Sequence, residues 1–162
     1  MQKLNYRLKK DYEEFKKKQP LGVVGGPIDE QNLNDWEVII PGPVGSPYEG
    51  GKFKVKIILP EDFPNSAPTC YFLTKIFHPN IRFESGSICV NFLKKGSDKE
   101  KEDNQKTWTN RNTICNIIFG LYALLKCPNQ NDAWNFNAHN LFIKDTQRYN
   151  LIAKNFTNKF AK

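Results

Sequence analysis

The chain has 162 residues, 39% of them apolar and 25% charged, and a formal net charge of +7. That length suits one domain with a real core, and no apolar run approaches the roughly 18 residues that a membrane-spanning helix needs. The lysines are scattered over helix ends, a strand and a loop instead of lining one face with aromatics. Nucleic acid is therefore not an expected partner, and most of these lysines read as solvated.

The opening residues MQKLNYRLKK hold no signal-like apolar stretch. The expected setting is therefore reducing, cytoplasmic or nuclear, with free thiols. Leu4, Leu8, Tyr12 and Phe15 repeat at helical spacing and predict an amphipathic N-terminal helix. Lys16, Lys17 and Lys18 fill its last turn, where cations suit the helix dipole, and Pro20 ends it. A short strand is expected around Leu21 to Val24. Trp36, Val38 and Ile40 then alternate with Glu37 and Ile39, and Phe53, Val55, Ile57 and Leu59 alternate with Lys52, Lys54 and Lys56. Both runs read as half-buried strands. A further strand around Thr69 to Leu73 completes a four-stranded antiparallel meander.

Thr74 to Leu93 reads as a long surface loop, because Pro79, Gly86 and two serines break any periodicity. Lys94 to Thr107, KKGSDKEKEDNQKT, holds no apolar residue and is predicted to be a mobile charged insertion at 94–107. Ile114, Ile117, Ile118, Leu121, Leu124 and Leu125 predict a strongly buried helix, capped by Thr113 or Asn112 and stopped by Pro128. A shorter helix from about Phe136 precedes a final one marked by Tyr149, Ile152, Ala153, Phe156 and Phe160. The order helix, strands, long loop, helices is α+β, in a single domain over 1–162.

Four cysteines, Cys70, Cys89, Cys115 and Cys127, show no C-x-x-C spacing, and only His78 and His139 could join them as ligands. A zinc or thioredoxin-like site is not expected. Cys70, Cys115 and Cys127 lie in or at the end of apolar elements and read as small buried hydrophobes. Cys89 instead follows Gly86 and Ser87 in the loop, which makes it the candidate nucleophile. Asn80, fixed behind Pro79, offers a neutral amide that could stabilise an oxyanion, bond local backbone, or do both. His78 reads as a residue that fixes the loop rather than as a base. Asp132, in PNQNDAW, is either a turn or cap aspartate or the group that orients an incoming lysine and favours its deprotonated amine.

Together these residues resemble the ubiquitin-conjugating enzymes. The likeness runs from the Arg7-Leu8 helix through Trp36, Pro47-Tyr48-Glu49-Gly50-Gly51, Phe63-Pro64 and His78-Pro79-Asn80. It continues through Gly86-Ser87-Ile88-Cys89, Trp108, Pro128-Asn129 and the closing Tyr149 helix. The resemblance implies the UBC fold and ubiquitin held as a thioester on Cys89. An activating enzyme supplies that ubiquitin, and it leaves for a substrate lysine directly, through a RING-type ligase, or by way of a HECT-type ligase cysteine. Nucleotide belongs to the activating enzyme, so no cofactor is implied here. Asn80 would stabilise the oxyanion or shape the loop, and Asp132 takes the place of an acidic residue that prepares the lysine. The N-terminal helix, with exposed Arg7 and Lys10, would meet the activating enzyme and ligases. Pro64, Asn65, Thr109 and Asn110 occupy the two loops that ligases grip.

Three departures stand out. Asn65 stands where several relatives carry an aromatic, and Thr109-Asn110-Arg111 replaces the usual Ser-Pro-Ala. Val24 replaces a serine on the outer face of the sheet, where many relatives bind a second ubiquitin. The 94–107 insertion is longer than the common form; it reads as a solvated expansion, with gating of the acceptor side as its functional alternative. A carrier of a ubiquitin-like modifier such as SUMO is the alternative activity. A non-catalytic ubiquitin-binding scaffold is a third reading, which the presence of Cys89 and Asn80 opposes.

Overall fold

The computed structural model of the protein describes residues 6–88 and 108–162. Leu4, Cys89 and the 94–107 insertion lie outside the described residues. Helix α1 (Tyr6–Lys18) buries Leu8, Asp11 and Phe15 and ends on its three lysines. Its apolar stripe meets the sheet through Trp36, whose ring takes the Tyr12 and Phe15 rings edge-on at 5.6 and 5.1 Å. Edge-to-face packing of this kind adds to the large area that aromatics bury.

Four antiparallel strands follow in chain order: β1 (Val24–Asp29), β2 (Asn32–Pro41), β3 (Lys52–Ile58) and β4 (Thr69–Phe72). The expected strand at Leu21 to Val24 is displaced. Pro20–Gly22 forms a single 3-10 turn instead, and Leu21 and Gly22 take φ of 59° and 70°, a left-handed geometry no strand accepts. β1 therefore starts where that turn stops. Its VGGPID sequence carries no alternating apolar signal, because an edge strand with both faces partly exposed needs none.

The register explains the core. Trp36 pairs with Ile57 and Ile57 with Cys70; Val38 pairs with Val55 and Val55 with Phe72. All of these side chains are buried, so the alternation of each strand is in phase across the sheet and makes one inner face. The opposite face is mixed: Glu37 pairs with Lys56 and forms an ion pair with Lys54, and Val24 is 65% exposed.

The segment after β4 is irregular, as expected, and Lys75, Arg82, Glu84 and Ser85 are exposed, but its first part turns inward. Residues Ile76 to Ile81 are buried. Buried irregular backbone must find hydrogen-bond partners outside the sheet: Asn80 N–H donates to His78 Nδ1, Phe77 O accepts from the Tyr48 hydroxyl, and Pro79 O accepts from Trp134 and Asn135 N–H. Helix α2 (Ile114–Lys126) starts at a capping box: the Thr113 hydroxyl accepts from Asn116 N–H while the Asn116 side chain accepts from Thr113 N–H. It buries all six apolar residues named for it and packs against α1 and β2. Helices α3 (Phe136–Lys144) and α4 (Thr146–Phe160) lie against each other. Lys52 N–H donates to Ala161 O at 2.9 Å, which ties the start of β3 to the end of α4. No described helix is long and apolar enough to cross a membrane.

Candidate active site

His78 is wholly buried, and both of its ring nitrogens are engaged. Nδ1 accepts from the Asn80 backbone N–H at 3.0 Å, and Nε2 lies 2.9 Å from Leu124 O. An acceptor at Nδ1 and a carbonyl at Nε2 fix the neutral Nε2–H tautomer. Burial pushes the imidazole pKa down to about 4, against a smaller upward pull from the Leu124 carbonyl. A ring so placed fixes backbone and joins the segment to the end of α2.

Asn80 carries the same logic outward. Its side-chain nitrogen donates to Asn129 O and to Asp132 O, each at 2.6 Å, and its oxygen accepts from Asn129 N–H at 2.8 Å. Pro79 O accepts from both Trp134 and Asn135 N–H, at 2.9 and 3.0 Å. The 129–135 turn is thus clamped onto His78-Pro79-Asn80, which brings Asp132 against Asn80 although sequence separates them widely. Asp132 is half-buried.

The return path toward Cys89 is equally defined. Ile81 bridges to Ile88 and Ser87 to Tyr71, and Arg82 N–H donates to Ser87 O at 2.9 Å. Gly86 takes φ of 71°, and a Cβ there would collide with Phe72 O; only glycine lets this turn sit so close to β4. The chain passes from this anchored Ile88 directly into Cys89, which is outside the described residues.

The other thiols differ among themselves. Cys70 and Cys115 are buried, and burial pushes both upward from the ordinary thiol range, so they are poor nucleophiles. Cys127 is exposed, contrary to the buried reading, because it caps the C-terminus of α2 rather than lying on its inner face. Among the described residues, no group of three or more His, Cys, Asp or Glu side chains could hold a metal ion.

Arg7 and Trp108 link α1, the Phe63-Pro64 turn and the 108–112 segment, the elements that carry the expected partner-contact residues. Lys10, Asn65, Thr109 and Asn110 are exposed, and Pro64 is half-buried with its carbonyl accepting from Trp108 Nε1 at 2.9 Å. Arg7 departs from the exposed reading. It is half-buried, pairs with Asp11 at 2.8 Å, and donates to Asn110 O and Asn112 O at 2.9 and 2.7 Å. Its guanidinium also faces the Phe63 ring.

Sequence reasoning missed several residues of this machinery. The backbone of Asn129 and the carbonyls of Pro79 and Leu124 carry no composition signal. Tyr48 and Tyr149 do more than pack: Tyr48 donates to Phe77 O at 2.7 Å and lies 2.5 Å from the Tyr149 hydroxyl, which holds the segment before His78 against α4. Trp134, a tryptophan in a polar turn, is visible by composition alone.

The family model described as "Ubiquitin-conjugating enzyme" matches residues 7–157. The chain belongs to the ubiquitin-conjugating enzyme family. Among curated relatives, "Ubiquitin-conjugating enzyme E2 pex4" of Dictyostelium discoideum is 34% identical over 156 residues, covering 96% of this chain and 97% of that one. Among solved structures, the E2 domain of a Toxoplasma gondii ubiquitin conjugating enzyme superposes with a TM-score of 0.79 at 31% identity, covering 96% of this chain and 97% of that chain. The α+β arrangement of one N-terminal helix, a four-stranded antiparallel sheet and C-terminal helices is the fold of this family.

Proposed function

We propose that this ubiquitin-conjugating family member receives ubiquitin from an activating enzyme as a thioester on Cys89 and passes it to lysine amines of protein substrates. Ligases of the RING or HECT type would guide that second step. One observation carries the reading: the buried His78-Pro79-Asn80 block clamps the Asp132 turn beside the segment that leads into Cys89. That is the arrangement expected if a nucleophile at Cys89 and a group for the acceptor amine serve one site.

In the first transfer the Cys89 thiolate attacks the activated carboxyl of ubiquitin, and the activating enzyme's own thiol leaves. In the second, a neutral lysine amine adds to the thioester carbonyl, and the tetrahedral intermediate expels the Cys89 thiolate as the nitrogen loses a proton. The Asp132 carboxylate orients the incoming ammonium and takes up its proton, so that a neutral amine attacks. Asn80 serves first as a positioning residue, since both of its amide hydrogens already point at carbonyls of the 129–132 turn. The surface formed by Lys10, Asn65, Thr109 and Asn110 is the docking face for the activating enzyme and ligases. Arg7 holds that surface together from beneath.

The test is a charging assay with purified ubiquitin and SUMO activating systems, run with and without reductant. The expected product is a reducible ubiquitin adduct that Cys89→Ser loses and Cys89→Lys converts to a stable amide. An adduct formed with SUMO alone would overturn the choice of cargo. Conjugation that persists in Cys89→Ser would overturn the mechanism.

A further inference from the structure

The 129–135 turn has two fastenings on its inner side, to Asn80 and to Pro79, and a different one on its outer side. The Arg82 guanidinium lies over the Trp134 indole with its central carbon 4.7 Å from the ring centroid. The Arg82 backbone is fixed on both sides, its N–H donating to Ser87 O and its carbonyl accepting from Gly86 N–H at 2.8 Å. The residue before it, Ile81, pairs with Ile88 next to Cys89. Trp134, in turn, is fixed by its own N–H on Pro79 O and stands two positions after Asp132. Among the described residues, the Arg82 side chain makes no hydrogen bond or ion pair besides this stack. The stack therefore joins the 81–88 segment, which leads into Cys89, to the turn that carries Asp132, by a contact that neither Asn80 nor Pro79 makes.

We propose that Arg82 and Trp134 form an outer latch that sets Asp132 against the approach to Cys89, so that both act as positioning residues for the lysine-transfer step. The proposal rests on the reading of Cys89 as the thioester carrier. The latch touches neither the thioester nor the amine; its effect runs through Asp132. A cation–π contact at a partly exposed site is worth about a two- to fivefold change in rate if it is needed only in the transition state.

The experiment is single-turnover discharge of the purified ubiquitin thioester to free lysine, over a range of lysine concentrations. The variants are Arg82→Ala, Arg82→Lys, Trp134→Leu, Asp132→Asn and the Arg82→Ala/Asp132→Asn pair. Charging by the activating enzyme should be unchanged in the Arg82 and Trp134 variants. Discharge at saturating lysine should fall about two- to fivefold in Arg82→Ala and in Trp134→Leu, with half-saturation little altered, and Arg82→Lys should regain most of it. In the Asp132→Asn background, Arg82→Ala should add no further loss, since the latch has nothing left to position. A loss that adds in full to that of Asp132→Asn would overturn the proposal, as would one confined to Arg82→Ala and absent from Trp134→Leu, which would mark a simple charge effect. Normal charging with unaltered discharge in both single variants would sink the latch and leave the thioester reading standing. Failure of the wild-type protein to form any reducible adduct would remove both.

Discussion

At the scale of single residues, Asn80 and His78 each commit their side-chain polar atoms to backbone partners. Three hydrogen bonds from one carboxamide hold the 129–132 turn. Asn80→Ala would leave a buried N–H and two carbonyls without those partners, so we expect a loss of about 1–3 kcal/mol in urea unfolding together with slower lysine discharge. A loss of rate with unchanged stability would identify oxyanion donation as the main role of the amide instead. His78 gives a prediction about acid. Its folded pKa of about 4 lies below the ordinary 6.5, so the native state binds fewer protons than the unfolded chain between those values. The stabilisation is therefore whole above about pH 6.5 and is lost as pH falls toward 4, by up to about 3 kcal/mol. Imidazole NMR should show His78 neutral and Nε2-protonated from pH 8 to below 5.5; a ring titrating near 6.5 would contradict the buried geometry.

At the scale of elements, α1 is attached by more than its apolar stripe. Arg7 reaches Asp11 within the helix and the carbonyls of Asn110 and Asn112 before α2, while the second oxygen of Asp11 accepts from Ile114 N–H at 3.3 Å. Asp11 is only 2% exposed, and burial raises its pKa against the pull of Arg7. Arg7→Ala should therefore cost about 3 kcal/mol or more, because it strands a buried carboxylate. Lys10→Ala, at an exposed position, should leave the unfolding midpoint unchanged and weaken only binding to an activating enzyme or ligase. The two variants separate a structural arginine from a docking lysine on the same helix. The family resemblance implied that both are exposed, and only the packing of the 108–113 segment against α1 tells them apart.

At the scale of the whole molecule, the meander, the buried α2 and the two closing helices form the frame, and the 94–107 insertion interrupts it just beyond Cys89. Its composition offers nothing to bury. Deleting 94–107 should leave the unfolding midpoint and the rate of thioester discharge to free lysine unchanged. A change in rate, or in the linkages formed, would instead assign the insertion a gating role on the acceptor side.

Much of the architecture was legible in the residues themselves. The period of α1, the alternation in β2 and β3, the Thr113 cap and the start of α3 at Phe136 are all local patterns, and local patterns follow from neighbours in the chain. The order of landmarks around His78-Pro79-Asn80 and Cys89 was enough to bring the family into view. Tertiary structure decided what depends on distant neighbours. β1 begins at Val24 because the preceding turn is left-handed, and Ile76 to Ile81 are interior because the Tyr48 hydroxyl, the His78 ring and the 129–135 turn meet backbone groups there. Arg7 is a strut because two carbonyls beyond residue 108 come within its reach. Asp132, an ordinary turn aspartate by composition, stands beside Asn80 only because a carboxamide and a proline carbonyl hold its turn in place. Hydrogen bonds across such separations leave no periodic trace in a sequence, so they become visible only once the chain has folded.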